Sequence, residues 1–188
     1  MNFKEELRKK TGQIEAMIQV YLPKEEGYQR TVTEAMHYAV SGGGKRLRPM
    51  LMAETAALFG DTGESLARFM TALECIHTYS LVHDDLPAMD NDDYRRGRKT
   101  THIVYGEGMA VLAGDGLLNY AFETAASAFD YASETAEYQR VARALQILGR
   151  KAGIYGMIGG QCAYLRAEEL GEDVTKDMLL YIHEHKTA

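Results

Sequence analysis

The stretch IHTYSLVHDDLPAMDNDDYRRGRKTTH, residues 76–102, passes from an apolar helical repeat into carboxylates and then into cations. Upstream and within it, Leu66, Phe69, Met70, Leu73, Ile76 and Leu81 recur at helical intervals. That spacing predicts a long helix over 64–85 whose C-terminal end meets the aspartates. Five aspartates lie between positions 84 and 93, and Arg95, Arg96, Arg98 and Lys99 follow almost at once. Magnesium is commonly shared between one or two carboxylates, retained waters and substrate phosphates. Asp84, Asp85 and Asp90 can supply such carboxylates. A solvated acidic turn is the alternative for this motif taken alone. An EF-hand is excluded, because the D-x-[DN]-x-[DN]-G register and the closing bidentate Glu are missing.

The rest of the chain supports an all-α reading. Phe3, Leu7, Ile14, Ile18 and Tyr21 mark an amphipathic helix that closes before Pro23. A second helix is expected over 31–40, broken by Gly42, Gly43 and Gly44. Pro49 restarts the pattern in the first turn of a helix over 51–59, which Gly60 ends. The segment 109–129 is apolar around nearly its whole circumference, with small residues interspersed, and should be central and buried. Helices over 134–149 and 151–169 follow, then a last one from Lys176, capped by Thr175 and still running at Lys186. With 188 residues, 46% of them hydrophobic, and no linker or repeat, one globular domain is expected.

A formal charge of −6 argues against a nucleic-acid binder, so any anion must be held locally. The N-terminus MNFKEELRKK carries charge throughout and no stretch reaches bilayer-spanning length, which gives an expected cytoplasmic location. Cys75 and Cys162 lack metal-ligand spacing and are expected as core thiols.

Anion chemistry has its own signal. SGGGKRLRP, residues 41–49, sets Lys45, Arg46 and Arg48 beside a helix N-terminus, where free N–H groups and the helix dipole favour a diphosphate. A basic helix start after a flexible turn is the alternative. It is not a P-loop, since Arg46 stands where Ser or Thr should follow the lysine. His77 precedes Asp84 by two helical turns, about 10 Å along the axis, so an anion-binding and a cation-binding group can line one cavity. Tyr79 lies about 7.5 Å below Asp84 on the same helix. His83, His102, His183 and His185 are read as packed or surface residues. Gly159-Gly160-Gln161 permits close backbone approach, and Gln161 offers both a donor and an acceptor.

Taken together, GGGKRLRP, the 76–102 stretch, GGQ and HKT occur in the order shown by short-chain trans-prenyltransferases. The chain resembles the trans-isoprenyl diphosphate synthase family, most nearly the bacterial farnesyl diphosphate synthases (geranyltranstransferases), whose DDxxxxD motif carries two extra residues, here Pro87 and Ala88. The resemblance implies the isoprenoid synthase fold, an antiparallel helical bundle around a central apolar cavity. It implies transfer of an allylic diphosphate's prenyl group, from dimethylallyl or geranyl diphosphate, to isopentenyl diphosphate, giving farnesyl diphosphate.

By that resemblance Lys45, Arg48 and His77 would bind isopentenyl diphosphate with Arg96 assisting, and Asp84 and Asp90 would hold Mg2+. Arg95 and Lys186 would contact the allylic diphosphate, Thr187 and Gln161 would face the developing cation, and Tyr79 with Ser80 would set chain length. A homodimer is also implied. The family carries a second aspartate-rich motif on a later helix, and this sequence stops before it. The implied reading is a polyprenyl synthetase domain over 1–188, incomplete at its C-terminal end and short of its last helices. The family's Gln-x-x-Asp-Leu pattern appears as Gln161-Cys-Ala-Tyr164-Leu165, with tyrosine in place of the acid. These departures leave a non-catalytic synthase-like binder, or partner subunit, as the alternative. A terpene cyclase is disfavoured, because it needs no isopentenyl diphosphate site of the GGGKRLRP and His77 kind.

Overall fold

The computed structural model describes residues 2–170 and 174–187, apart from the side chain of Leu170. The chain forms two compact units, 1–133 and 134–188. Both are built from helices, and the β-structure among the described residues is one pair of two-residue strands.

In the first unit, α1 (Phe3–Tyr21), α2 (Arg30–Val40), α3 (Leu47–Leu58) and α4 (Glu64–Asp84) follow in order. The strands β1 (Tyr94–Arg95) and β2 (Arg98–Lys99), the short α5 (Thr101–Tyr105), α6 (Glu107–Ala126) and a 3-10 turn (Ser127–Tyr131) complete it. The expected helices are all present, with ends shifted by a few residues. The largest shift within this unit is at α3, which starts two residues before Pro49 because proline is tolerated throughout a first turn, where N–H groups have no intrahelical acceptor; in the second unit the helix expected from 151 starts at Met157, since the preceding one runs on to Ala152.

The most extensive packing joins α4 to α6. From α4 come Phe69, Met70, Cys75, Ile76, Tyr79 and Val82, and from α6 Ala110, Ala113, Leu117, Ala121 and Ala125, all buried. Small residues on α6 let the two backbones approach closely. At Gly114 an added Cβ would strike the His83 ring, whose Nε2 lies 3.1 Å from the Val111 carbonyl oxygen, so His83 is a packed residue as expected. The expectation that the 109–129 segment is buried all round holds for one face only. Val111 and Leu112 are 41% and 53% exposed, since a helix packed on one side turns its remaining positions outward.

The second unit contains α7 (Thr135–Ala152), α8 (Met157–Leu170), α9 (Lys176–Ile182) and a π-helical turn (His183–Thr187). Thr175 caps α9, its Oγ1 accepting from the Met178 N–H at 3.2 Å. The backbone of residues 185–186 seats directly on Gly160 of α8, where any Cβ would collide with it. Cys75 is in the core as expected, with burial pushing its thiol up to about 12. Cys162 is exposed instead. It follows Gly160 by about 200° around α8, so it faces away from the strand of chain that Gly160 accommodates.

Candidate active site

The 41–48 loop turns sharply through Gly43 and Gly44, at φ 80° and 147°, and through Arg46 at φ 48°. The first two conformations suit glycine, and at Gly44 a Cβ would also lie 2.6 Å from Arg96 Nη1. The left-handed Arg46 inverts the direction of its side chain relative to its neighbours. Lys45 and Arg48 are exposed, while Arg46 is only 5% exposed. Its Nη1 sits 2.6 Å from Glu74 Oε1 on α4, and its Nη2 donates to the Val40 carbonyl at 2.6 Å. Of the loop's three cations, one is therefore an internal tie and two face solvent.

Arg96 and Gly97 form the two-residue turn of the β1–β2 hairpin, with φ of 53° and 77°, as hairpins of this length require. The hairpin is strapped onto the glycine loop. Arg96 Nη1 donates to the Gly43 carbonyl, Arg98 Nη1 donates to the Ser41 carbonyl at 2.7 Å, and the Tyr38 hydroxyl donates to the Lys99 carbonyl at 2.8 Å. The Arg98 guanidinium also lies over the Tyr38 ring, 4.4 Å from its centroid. A cleft of about 50 Å³ remains between loop, hairpin and α4, lined among others by Gly43, Glu74, His77, Asp85, Arg95 and Arg96.

His77 lies on the α4 wall of this cleft. Burial, and after it the Arg48 guanidinium, with smaller contributions from Arg96 and Arg46, lowers its pKa to about 4, against an opposing pull from Glu74. The ring is neutral near neutral pH and can still donate one N–H to an anion.

Beyond Asp84 the chain folds back on itself. The Asp90 N–H donates to the Asp84 carbonyl at 2.8 Å, the Asn91 N–H to Leu86 at 3.1 Å and the Asp92 N–H to Asp85 at 3.2 Å. This closure brings the Asp84 and Asp90 backbones together and leaves the Asp90 side chain exposed and that of Asp84 half-exposed. Asp85 is different. It is buried, and its Oδ1 receives both Nε and Nη2 of Arg95, at 2.7 and 2.6 Å. Burial raises the Asp85 pKa against the opposing Arg95 charge, and the same hydrogen bond raises that of Arg95. Of the motif's first three carboxylates, Asp85 is buried and orients an arginine, while Asp84 is half-exposed and Asp90 exposed.

Tyr79 is buried on α4, edge-on to His83 with ring centroids 5.8 Å apart. Burial, assisted by the Asp84 charge, raises its hydroxyl pKa. Ser80 is turned back on its own helix, its hydroxyl donating to the His77 carbonyl at 2.8 Å.

In the second unit Gly160, Gln161 and Tyr164 lie on α8, against the turn that carries Lys186 and Thr187. Lys186 Nζ stands 3.6 Å from the Tyr164 ring centroid, so the tyrosine at the expected acid position presents its π face to the lysine. The Tyr164 hydroxyl donates to Glu168 at 2.7 Å.

Four contributors escape a reading of the sequence: Tyr38, Glu74, Arg98 and the buried Thr100. The last ties the hairpin's end to the acidic turn, its N–H donating to the Asp93 carbonyl at 3.0 Å and its Oγ1 to that of Asp92 at 2.8 Å. The alternating basic and glycine residues of RRGRK were the one available signal, and strands of two residues are too short to show a period.

A family description, polyprenyl synthetase, matches residues 29–188. A farnesyl diphosphate synthase of Geobacillus stearothermophilus is 43% identical over 175 residues, which are 93% of this chain and 57% of that protein. The large subunit 1 of a heterodimeric chloroplast geranylgeranyl pyrophosphate synthase of Arabidopsis thaliana is 46% identical over 158 residues, 84% of this chain and 42% of that one. Among solved structures, a geranyltransferase from Legionella pneumophila superposes with a TM-score of 0.87 at 36% identity, covering 97% of this chain and 63% of its own. The chain spans about half the length of the curated relatives it matches.

Proposed function

The chain belongs to the polyprenyl synthetase family and has its all-α isoprenoid synthase fold, and from that membership we propose that the protein is a short-chain trans-prenyltransferase. The reaction joins isopentenyl diphosphate to dimethylallyl or geranyl diphosphate, and the product is farnesyl diphosphate. The observation that carries this reading is the convergence on one cleft of His77, the glycine loop and the Arg95–Arg96 hairpin, directly beside the aspartate turn.

In this reading Lys45, Arg48, His77 and Arg96 grip the diphosphate of isopentenyl diphosphate. Arg95, oriented by Asp85, contacts the allylic diphosphate. Lys186 acts on the same group, while Gln161 and Thr187 face the carbon chain where positive charge develops. Asp84 and Asp90 would hold magnesium. Their fit to it rests on two carboxylates, one half-exposed and one exposed, carried on backbone that the Asp90 N–H to Asp84 carbonyl bond holds together. Among the described residues there is no group of three or more His, Cys, Asp or Glu side chains placed to cage a metal. Such a pair suits a cation that keeps waters and shares substrate phosphate oxygens. Magnesium bound there would offset the charge of the leaving diphosphate as the allylic C–O bond breaks. The double bond of isopentenyl diphosphate then attacks the allylic carbon, and a proton lost from the adduct gives the longer trans product.

Identity with both a farnesyl and a geranylgeranyl synthase leaves product length to individual residues. The fifteen-carbon assignment rests on the bulk of Tyr79, with Ser80 beside it, and on the Pro87-Ala88 insertion. The family match runs across the boundary between the two units, which supports reading them as parts of one domain. A homodimer belongs to the same proposal, with exposed Val111 and Leu112 as apolar surface for a second copy. A cytoplasmic location also belongs to it, since both substrates are water-borne anions. No helix among the described residues is long and apolar enough to cross a membrane.

The test is incubation of the protein with labelled isopentenyl diphosphate, geranyl diphosphate and magnesium. A magnesium-dependent fifteen-carbon product is expected, and its absence would overturn the enzymatic reading.

A further inference from the structure

We propose that the buried Arg46–Glu74 ion pair is a positioning device that fixes the loop carrying Lys45 and Arg48 against the turn of α4 carrying His77, and so sets the spacing of the groups that grip a diphosphate. The inference rests on reading this cleft as a diphosphate site.

The Arg46 guanidinium is the point where three helices meet. Nη1 is 2.6 Å from Glu74 on α4, Nη2 is 2.6 Å from the carbonyl of Val40 at the end of α2, and Nε is 3.4 Å from Glu15 on α1. Arg46 and Glu74 are 5% and 3% exposed, and Arg46 Nε has no hydrogen-bond partner of good geometry. A left-handed, non-glycine residue persists only where its surroundings enforce it. Here the enforcing contacts belong to the side chain. By drawing Arg46 inward, they turn Lys45 and Arg48 outward on either side of it.

Stability alone is a poor reason for such a pair. Two charges taken from water lose most of what their attraction returns, and apolar residues of similar volume often serve as well. The pair does provide a single geometry, with a planar group satisfied from fixed directions. Glu74 stands one helical turn before His77, so the anchor of the loop and the imidazole occupy the same face of α4. The Glu74 charge also acts on His77, opposing the effect of the Arg48, Arg96 and Arg46 guanidinium groups on the ring.

The experiment compares inorganic pyrophosphate binding, by titration calorimetry, with thermal unfolding of the same protein. In the double variant Arg46→Met/Glu74→Leu the fold is expected to persist near its normal melting temperature, since no buried charge is left unpaired. Pyrophosphate affinity is expected to fall about tenfold or more, as the loop must then be ordered on binding. The His77 ring signal in NMR spectra is expected to move when pyrophosphate is added to the unaltered protein, and to lose that response in the double variant. The milder Arg46→Lys keeps the charge but not the fork, and an affinity loss of about threefold is expected. If the double variant does not fold, Arg46→Lys decides the question. Unchanged affinity in every folded variant, with the unaltered protein binding normally, overturns the positioning role. Failure of the unaltered protein to bind pyrophosphate instead removes the diphosphate reading itself, and the inference with it.

Discussion

The Arg95 guanidinium is locked on Asp85, with Nη2 and Nε 2.6 and 2.7 Å from the same carboxylate oxygen. The pair divides the aspartate motif into a buried carboxylate that orients an arginine and two that are more exposed, the proposed magnesium ligands Asp84 and Asp90. Asp85→Asn is therefore expected to lower stability by about 2 kcal/mol, because it leaves a half-buried guanidinium without its hydrogen-bonded carboxylate, the contact to Asp92 being longer at 3.8 Å. Asp84→Asn and Asp90→Asn should cost less stability than Asp85→Asn, because their side chains are more exposed. They should weaken Mn2+ binding in the presence of pyrophosphate about tenfold or more. Paramagnetic relaxation of water protons reads the metal, and urea unfolding reads stability. A greater metal loss in Asp85→Asn than in Asp84→Asn would contradict the division.

His77 gives a pH dependence with a definite sign. Its pKa is about 4 in the folded protein and 6.5 when unperturbed, so between these values the unfolded chain binds the extra proton. Stability contributed by the neutral ring is fully present above pH 6.5 and is lost as pH falls toward 4, on the order of 2 kcal/mol once partial exposure of the ring is allowed for. Urea unfolding from pH 7 to pH 4.5, compared with His77→Gln, isolates the effect. Parallel profiles for the two proteins would count against a buried, cation-surrounded imidazole.

The hairpin strap is testable at Arg98, which donates to Ser41 and stacks on Tyr38. Arg98→Ala removes one charge-assisted hydrogen bond and one cation–π contact, a loss of about 1–2 kcal/mol. Amide hydrogen exchange should quicken at residues 41–44 and 94–99, and not on α1.

At the α8 crossing, Gly160→Ala places a methyl group into the backbone of residues 185–186. Overpacking of this kind costs about 1–3 kcal/mol and should displace the π-helical turn. Tyr164→Leu stays apolar and loses both the π face offered to Lys186 and the hydroxyl bonded to Glu168, a change of about 0.5–2 kcal/mol. Nitrogen-15 chemical shifts of residues 183–187 distinguish the cases: a large shift is expected for Gly160→Ala and a small one, centred on Lys186, for Tyr164→Leu.

Tyr79→Ala opens the buried position below Asp84 on α4. If the proposed fifteen-carbon synthase reading holds, product analysis by chain length is expected to show longer species, and an unchanged product would overturn the proposed chain-length role of Tyr79.

The helices were legible in the sequence because their causes are local. A 3.6-residue apolar period, glycines at 42–44 and 60 and a threonine cap at 175 act within a few residues of themselves, and every expected helix was found. The acidic and basic motifs were legible for the same reason. The role of each member within a motif was not. Asp85 and Asp84 are adjacent and chemically identical, yet one is buried against Arg95 and the other is half-exposed. Arg46 stands between Lys45 and the rest of the basic run, and only its left-handed backbone turns it toward a carboxylate 28 positions away. The hairpin reaches carbonyls 53 and 57 residues back along the chain. Which segments are helical, and which chemistry they carry, follows from local residue patterns. Which charges pair is settled only by packing, because in a dry interior a charge is stable only beside a partner, and chain-distant partners become neighbours only once the helices have packed.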